Sequence, residues 1–204
     1  MNIEYMRNFG ALKAKIPESL RLNLLEESKK AENSNNTMES GLTYPTIPNH
    51  YYVKDCVEEL GQFVFTLKEE YDKTYPGLDN AGTLTDPLPY YMTAPWFNFQ
   101  KKGQFLPQHT HDGLYSFSLW LQIPYEYEEE KVTNKWNGDM LMCFEFTYLT
   151  MDGQFKFHNI PLSKKDEGTI IMFPSKLPHM AYPFYSTEGT RISVSGNIGF
   201  KVSK

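Results

Sequence analysis

Cysteine is nearly absent from this chain. Cys56 and Cys143 are the only two in 204 residues, and they form no C-x-x-C pair. That excludes a disulfide-built scaffold. One isolated disulfide is conceivable, but free thiols in a reducing compartment are the expectation. Long apolar runs are also absent. None approaches 18 residues, and the opening Met-Asn-Ile-Glu-Tyr-Met-Arg lacks the apolar segment of a signal peptide. The expectation is an untargeted cytoplasmic protein with no membrane role. Positive charge is in deficit, with 20 Lys and Arg against 25 Asp and Glu. The acidic run Glu126-Tyr127-Glu128-Glu129-Glu130 repels phosphate backbones, so general nucleic-acid binding is not expected. No G-x-S-x-G, G-x-x-x-x-G-K-[ST] or G-x-G-x-x-G occurs, which removes three common catalytic scaffolds. No internal repeat and no clear linker is visible.

Aromatic residues are plentiful instead, at 15% with 14 Tyr and 14 Phe. That favours a thick β core. The length suits one domain spanning residues 1–204. Its first part, 1–89, reads as an α/β wrapping layer. A helix is predicted over Pro17–Ala31, with Leu20, Leu24 and Leu25 at helical spacing. Glu32–Ser40 reads as a polar loop. A second helix is predicted over Asp55–Lys73, where Val57, Leu60, Val64, Leu67 and Tyr71 make one stripe, closed by Pro76-Gly77.

From residue 90 onward the apolar period changes to two. Strands are predicted over Tyr115–Ile123, Met140–Tyr148, Phe155–Ile160, Thr169–Phe173 and Thr190–Phe200. Many short strands separated by glycine turns point to a sandwich or jelly roll. The loop 125–137 and its Trp136 carry no readable role.

Three of the five histidines stand out. His109 and His111 form His-Thr-His, and His179 follows 68 residues after His111, behind a proline-bounded turn. On a strand, residues two apart point to one side, so both imidazoles can reach one ion. Imidazole suits Fe, Zn, Cu and Ni alike, and ordinary hydrogen-bonded histidines remain an alternative. In Thr190–Phe200 the residues Arg191, Ser193, Ser195 and Asn197 share one face, while Ile192, Val194 and Ile198 share the other. A strand arginine is ordinarily solvated. One flanked by hydroxyl and amide residues is a fitting carboxylate clamp, fully ionised and able to bind with both arms. His158 reads as an exposed strand histidine.

The stretches Pro95-Trp-Phe-Asn98-(x)4-Gly103-(x)5-His109-Thr-His111, Tyr115-Ser-Phe-Ser118, Gly168-(x)4-Phe173-Pro174-Ser175-(x)3-His179 and Arg191-Ile-Ser193-Val-Ser195-x-Asn197 resemble the iron(II)/2-oxoglutarate-dependent oxygenases. More narrowly, they are similar to oxygenases of bacteria and cyanophages that carry H-x-H in place of H-x-D. The likeness covers roughly residues 90 to 200. It implies a double-stranded β-helix, mostly β, with an N-terminal helical layer. It implies a dioxygenase that takes Fe(II), 2-oxoglutarate and O2. It would hydroxylate a protein side chain or small molecule, in a host's cytoplasm if phage-encoded. Carried over, His109 and His179 are iron ligands, and His111 stands where most of the superfamily has a carboxylate. Asp112 is the rival second ligand, although the next residue on a strand points away. Arg191 and Ser193 would hold the distal carboxylate of 2-oxoglutarate, with Asn98 and Tyr115 as further contacts. A cupin resembles the chain less well, because the glutamate expected after His111 is missing and Arg191 has no part there. A non-enzymatic jelly roll with a decayed site is the other alternative.

Overall fold

The computed structural model describes residues 10–33, 50–75, 88–133 and 142–201. Two antiparallel sheets carry the architecture. The larger contains β1 (Leu12–Lys15), β2 (His50–Tyr52), β3 (Tyr90–Met92), β4 (Trp96–Gln100), β6 (Tyr115–Gln122), β9 (Thr169–Pro174) and β11 (Arg191–Phe200). Its order is β1-β9-β6-β11-β4-β2, with β3 alongside the far end of β11. The smaller sheet has the order β5-β10-β7-β8. Its strands are β5 (Leu106–His109), β7 (Cys143–Leu149), β8 (Phe155–Pro161) and β10 (His179–Ala181). From β4 onward the chain passes back and forth between the sheets, which is the double-stranded β-helix, or jelly roll.

Parity decides what each face of the larger sheet touches. Tyr115, Phe117, Leu119 and Leu121 of β6, with Val194 of β11 and Ile170 and Met172 of β9, share one buried apolar cluster. That cluster packs on α1 (Glu18–Glu32) and α2 (Val57–Thr74). The opposite face looks inward at the smaller sheet. It carries Ser116 and Ser118, paired with Asn197 and Ser195 of β11. Farther along, Trp120, Ile171 and Phe173 meet Phe144 and Phe146 of the smaller sheet. The Trp120–Phe144 and Phe146–Phe173 ring centres lie 5.5 and 4.9 Å apart.

The expected stripe of α2 is buried at Leu60, Val64, Leu67 and Tyr71. Pro17 stands immediately before α1, and its carbonyl accepts the amide of Arg21 at 3.1 Å. The first turn of α2 has no side-chain cap of its own. Glu27 of α1 supplies one, accepting the amides of Asp55 at 2.9 Å and Cys56 at 3.0 Å. Two helices are thereby locked end to side by a buried carboxylate, a charge-assisted arrangement.

Several expectations need adjustment. The strands of the expected α/β layer do not only wrap the core: β1 and β2 complete the larger sheet at its two edges. The strand expected from Met140 begins at Cys143, because Met142 adopts a positive φ of 52°. Ile123 follows β6 and packs in the inner cluster instead of sharing the face of Leu121. The segment after Tyr125 is partly helical, as α3 (Tyr127–Thr133). Glu130, in the acidic run, is fully buried and accepts the amides of Tyr185 and Ser186. The expected loop over 34–40, the Pro76-Gly77 stop, Met140 and Trp136 lie outside the described residues. Cys56 and Cys143 are not joined in a disulfide. Among the described residues, no helix is long and apolar enough to cross a membrane.

Leu60 is 0% exposed at the centre of the α2 contact. Leu60→Ala is expected to lower stability by about 2–5 kcal/mol, through lost transfer energy and a residual cavity. Chemical denaturation measures this, and a change below about 1 kcal/mol would contradict the packing.

Candidate active site

β10 lies between β5 and β7, with His179 directly opposite both His109 and Phe146. His109 ends β5 and His179 begins β10, so the register alone sets two imidazoles face to face. His111 lies past the end of β5, so strand parity does not place it. A turn does. The His111 amide donates to Ser175 O at 2.9 Å. Gly113 has φ of 107°, and a Cβ there would come within 2.8 Å of Ile198 O. Only glycine turns the chain so tightly at that point.

The three rings converge. Their centres are 4.8 Å apart for His109–His111, 4.3 Å for His109–His179 and 5.1 Å for His111–His179. Their ligand nitrogens all lie within 4.8 Å of one another. Nitrogens bound to one ion at about 2.1 Å sit at most about 4.2 Å apart, so a small side-chain adjustment closes the triangle. Two rings are held by their own turns. His109 Nδ1 lies 2.7 Å from Pro107 O, and His179 Nδ1 lies 2.9 Å from Leu177 O. A carbonyl only accepts, so Nδ1 carries the proton and Nε2 keeps its lone pair. Burial keeps the rings neutral. It lowers the pKa of His109, and together with the neighbouring His109 takes His111 down to about 4 and His179 to about 3. Three neutral imidazoles with fixed tautomers fit a divalent transition metal. Asp112 does not join them. Its carboxylate is fully exposed and pairs with Lys176 at 3.1 Å.

Arg191 is 2% exposed at the head of β11. Its Nε donates to Gln100 Oε1 at 3.1 Å, and its Nη2 donates to that same oxygen and to Tyr182 O at 2.8 Å. Its Nη1 donates to Tyr125 Oη at 2.7 Å. The expected two-armed clamp is therefore modified. The Nε–Nη2 edge is taken by protein acceptors, and Nη1 with the Tyr125 hydroxyl is what remains to meet an anion. Ser193 shares the face of Arg191, two residues along. Asn98 Nδ2 lies 3.4 Å from Ser193 Oγ and 3.0 Å from Ser195 Oγ. Trp96 closes this polar floor towards His111, with ring centres 5.9 Å apart.

Tyr115 is a correction. It faces the helices, fully buried, and its hydroxyl donates to Asp72 of α2 at 2.5 Å. It sits on the opposite side of the sheet from Arg191, so it cannot touch a ligand there. Its face was legible, because Tyr115-Phe117-Leu119-Leu121 is the apolar side of β6 and Ser116-Ser118 the polar one. Sequence reasoning also missed Gln100 and Tyr125. Gln100 pairs with Arg191 across β4 and β11. Tyr125 lies beyond the end of β6, where no periodicity marks it.

Residues 94–197, half of the chain, match the model of the family described as "Putative 2OG-Fe(II) oxygenase". The chain belongs to this family. It is an Fe(II)- and 2-oxoglutarate-dependent oxygenase that uses O2. The oxygenase is also similar in structure to a Pseudomonas putida prolyl-4-hydroxylase, at 15% identity and TM-score 0.59, over 95% of this chain and 94% of that one. A prolyl hydroxylase from Trichoplax adhaerens, solved with a hypoxia inducible factor peptide, matches at 12% identity and TM-score 0.57, over 92% of this chain and 82% of that one. The 2-oxoglutarate-dependent epimerase SnoN of nogalamycin biosynthesis matches at 13% identity and TM-score 0.60, over 93% and 77%. At these identities the likeness shows the fold. No curated protein matches by sequence.

Two expected outcomes test this geometry in the oxygenase. Its histidines have folded pKa values below the unfolded value of about 6.5. Between that value and their folded values, the unfolded chain binds protons that the folded one refuses. Stability of the metal-free protein should thus fall as pH drops below about 6.5, by at most about 1.4 kcal/mol per pH unit for His179. Melting temperatures at pH 7.5 and 5.5 read this, and equal values would refute neutral, buried rings. Tyr115→Phe should cost about 1 kcal/mol of stability through the lost hydrogen bond and leave 2-oxoglutarate affinity unchanged. A tenfold weaker affinity would return Tyr115 to the site.

Proposed function

We propose that His109, His111 and His179 hold the Fe(II), and that Arg191, with Tyr125 and Ser193, holds the distal carboxylate of 2-oxoglutarate. The observation that carries this reading is the shared strand. β10 presents His179 at one end, and Tyr182 just beyond its other end accepts from the Arg191 guanidinium. One short segment thus spans from the metal-ligating cluster to the cation.

Fe(II) with 2-oxoglutarate and O2 supplies oxidation of a substrate C–H bond, with the oxo acid leaving as succinate and CO2. The chain's own residues do the rest. The three neutral imidazoles offer lone pairs without negative charge, so an Fe(II) held there would keep its full charge for the doubly negative cosubstrate. Arg191 is oriented by Gln100 and the Tyr182 carbonyl, so it need not reorganise to receive a carboxylate. The Tyr125 hydroxyl accepts from Arg191 and keeps its own proton to donate. Asn98, Ser193 and Ser195 line the floor between, and Trp96 and Phe144 flank the histidines and limit water there.

The reaction class we infer is hydroxylation of a protein side chain or a small molecule. The Trichoplax adhaerens neighbour with its bound peptide favours the former. The 204 residues act as a single domain, since β1 and β2 complete the catalytic sheet. Two cysteines that form no disulfide fit a cytoplasmic setting.

Isothermal calorimetry with 2-oxoglutarate tests the anion assignment on anaerobic, iron-loaded protein. Arg191→Ala should weaken binding about ten- to a hundredfold, the loss of a contact worth roughly 1.5–3 kcal/mol. Tyr125→Phe should weaken it less. Unchanged affinity in Arg191→Ala would remove Arg191 from the site. His179→Ala should abolish succinate formation, and full turnover in that variant would remove His179 from the metal.

A further inference from the structure

A groove lies on the flank of the sandwich away from the polar floor. It is about 910 Å³ and opens between β1 and β8, the free outer strands of the two sheets. Phe146, Ile160, Ile171 and Leu177 form its apolar floor. Phe146 and Phe173, with ring centres 4.9 Å apart, stand between this groove and His179. It is therefore separate from the proposed metal centre.

Three features narrow its occupant. First, β8 pairs with β7 along one edge, and no described strand covers the other. A seven-residue edge offers about 23 Å of alternating donors and acceptors. Second, β8 exposes apolar side chains that a lone edge strand would normally hide. Phe155 is 70% exposed and Phe157 59%, both on the face away from the groove. A strand added to β8 would cover that face and the groove together. Third, the rim carries lysines and no lining carboxylate in a chain with net charge -5. Lys13, His158 and Lys176 line the groove, and no Asp or Glu lines it among the described residues. Lys156 shares the face of His158. Lys13 and Lys176 do meet Asp166 at 3.5 Å and Asp112 at 3.1 Å. The Lys176–Asp112 pair is solvent-exposed and of small worth, whereas Asp166 is buried beside the half-exposed Lys13; each ammonium has further donors.

We propose that this groove binds an extended acidic–apolar peptide segment, added as a strand to the edge of β8. Its apolar residues cover Phe155 and Phe157 on one face. On the other face, carboxylates meet Lys156, His158 and Lys13, and an apolar residue enters beside Ile160. The turn 174–178 runs from the groove to His179, and its Ser175 carbonyl accepts the His111 amide.

The probe is the fluorescein-labelled peptide Val-Glu-Val-Glu-Val-Leu-Val-amide, followed by anisotropy with no iron or 2-oxoglutarate present. It should bind at least tenfold tighter than the same peptide with Lys for Glu. His158→Glu should weaken it at least fivefold. If that variant melts lower than the parent, the exposed Lys156→Glu replaces it. N-methylation of alternate peptide residues should abolish binding in one register and be tolerated in the other. Amide exchange should slow within Phe155–Pro161. Equal affinity for the two peptides, no binding of either at 1 mM (about the weakest useful affinity), or protection mapping elsewhere would overturn the proposal. So would binding of phosphatidylglycerol vesicles in place of the peptide. A dimer that His158→Glu dissociates, with no peptide bound, would overturn it in favour of a second copy. Because the assay needs no turnover, its failure leaves the oxygenase reading intact, and loss of succinate formation leaves this one intact.

Discussion

The pairing of His109 with His179 across β5 and β10 is the constraint on which the site depends. It is a backbone register, so the two rings face each other however their side chains relax. Each ring is then fixed by the carbonyl two residues before it, Pro107 for one and Leu177 for the other. A slip of one residue would turn one imidazole to the outer face and leave the other alone. His111 completes the set by a different device, a glycine turn pinned to Ser175 and Ile198. The site thus combines sheet register, which is rigid, with one tight loop.

The second constraint is the inverted dress of the larger sheet. In most sandwiches the two facing sheets share an apolar core. Here the apolar face of β6 and β11 looks outward onto α1 and α2, while part of the inward face is serine and asparagine. Those groups and the guanidinium of Arg191 are buried at the cost of desolvation, which is offset only where partners are supplied. Gln100, Tyr125 and the Tyr182 carbonyl supply most of them. A carboxylate would supply the rest, which is why the floor makes more sense as a ligand seat than as a core.

Much of this was legible in the sequence. Period-two runs marked β6, β8, β9 and β11, the stripe of α2 marked its buried side, and the spacing of three histidines and one arginine marked the site. Parity also revealed which face of β11 was polar. The same test applied to β6 would have sent Tyr115 to the helices, where it meets Asp72. Other features had no local mark. Gln100 matters only because strand pairing sets it opposite Arg191, and Tyr125 only because the chain turns back after β6. His111 converges although β5 has already ended, so parity gave the right outcome there through a mechanism the structure replaces. Glu130 reads as one more solvated acid in a run of four, yet two backbone amides hold it fully buried.

In the proposed centre three imidazoles, and no carboxylate, share one iron. X-ray absorption on anaerobic Fe(II)-loaded protein tests it most directly. The expected spectrum has a first shell that includes three imidazole nitrogens at about 2.0–2.2 Å, with the outer-shell pattern of three rings. His111→Ala should reduce the three rings to two. A fit with two imidazoles in the unaltered protein, or a spectrum unchanged by His111→Ala, would contradict it.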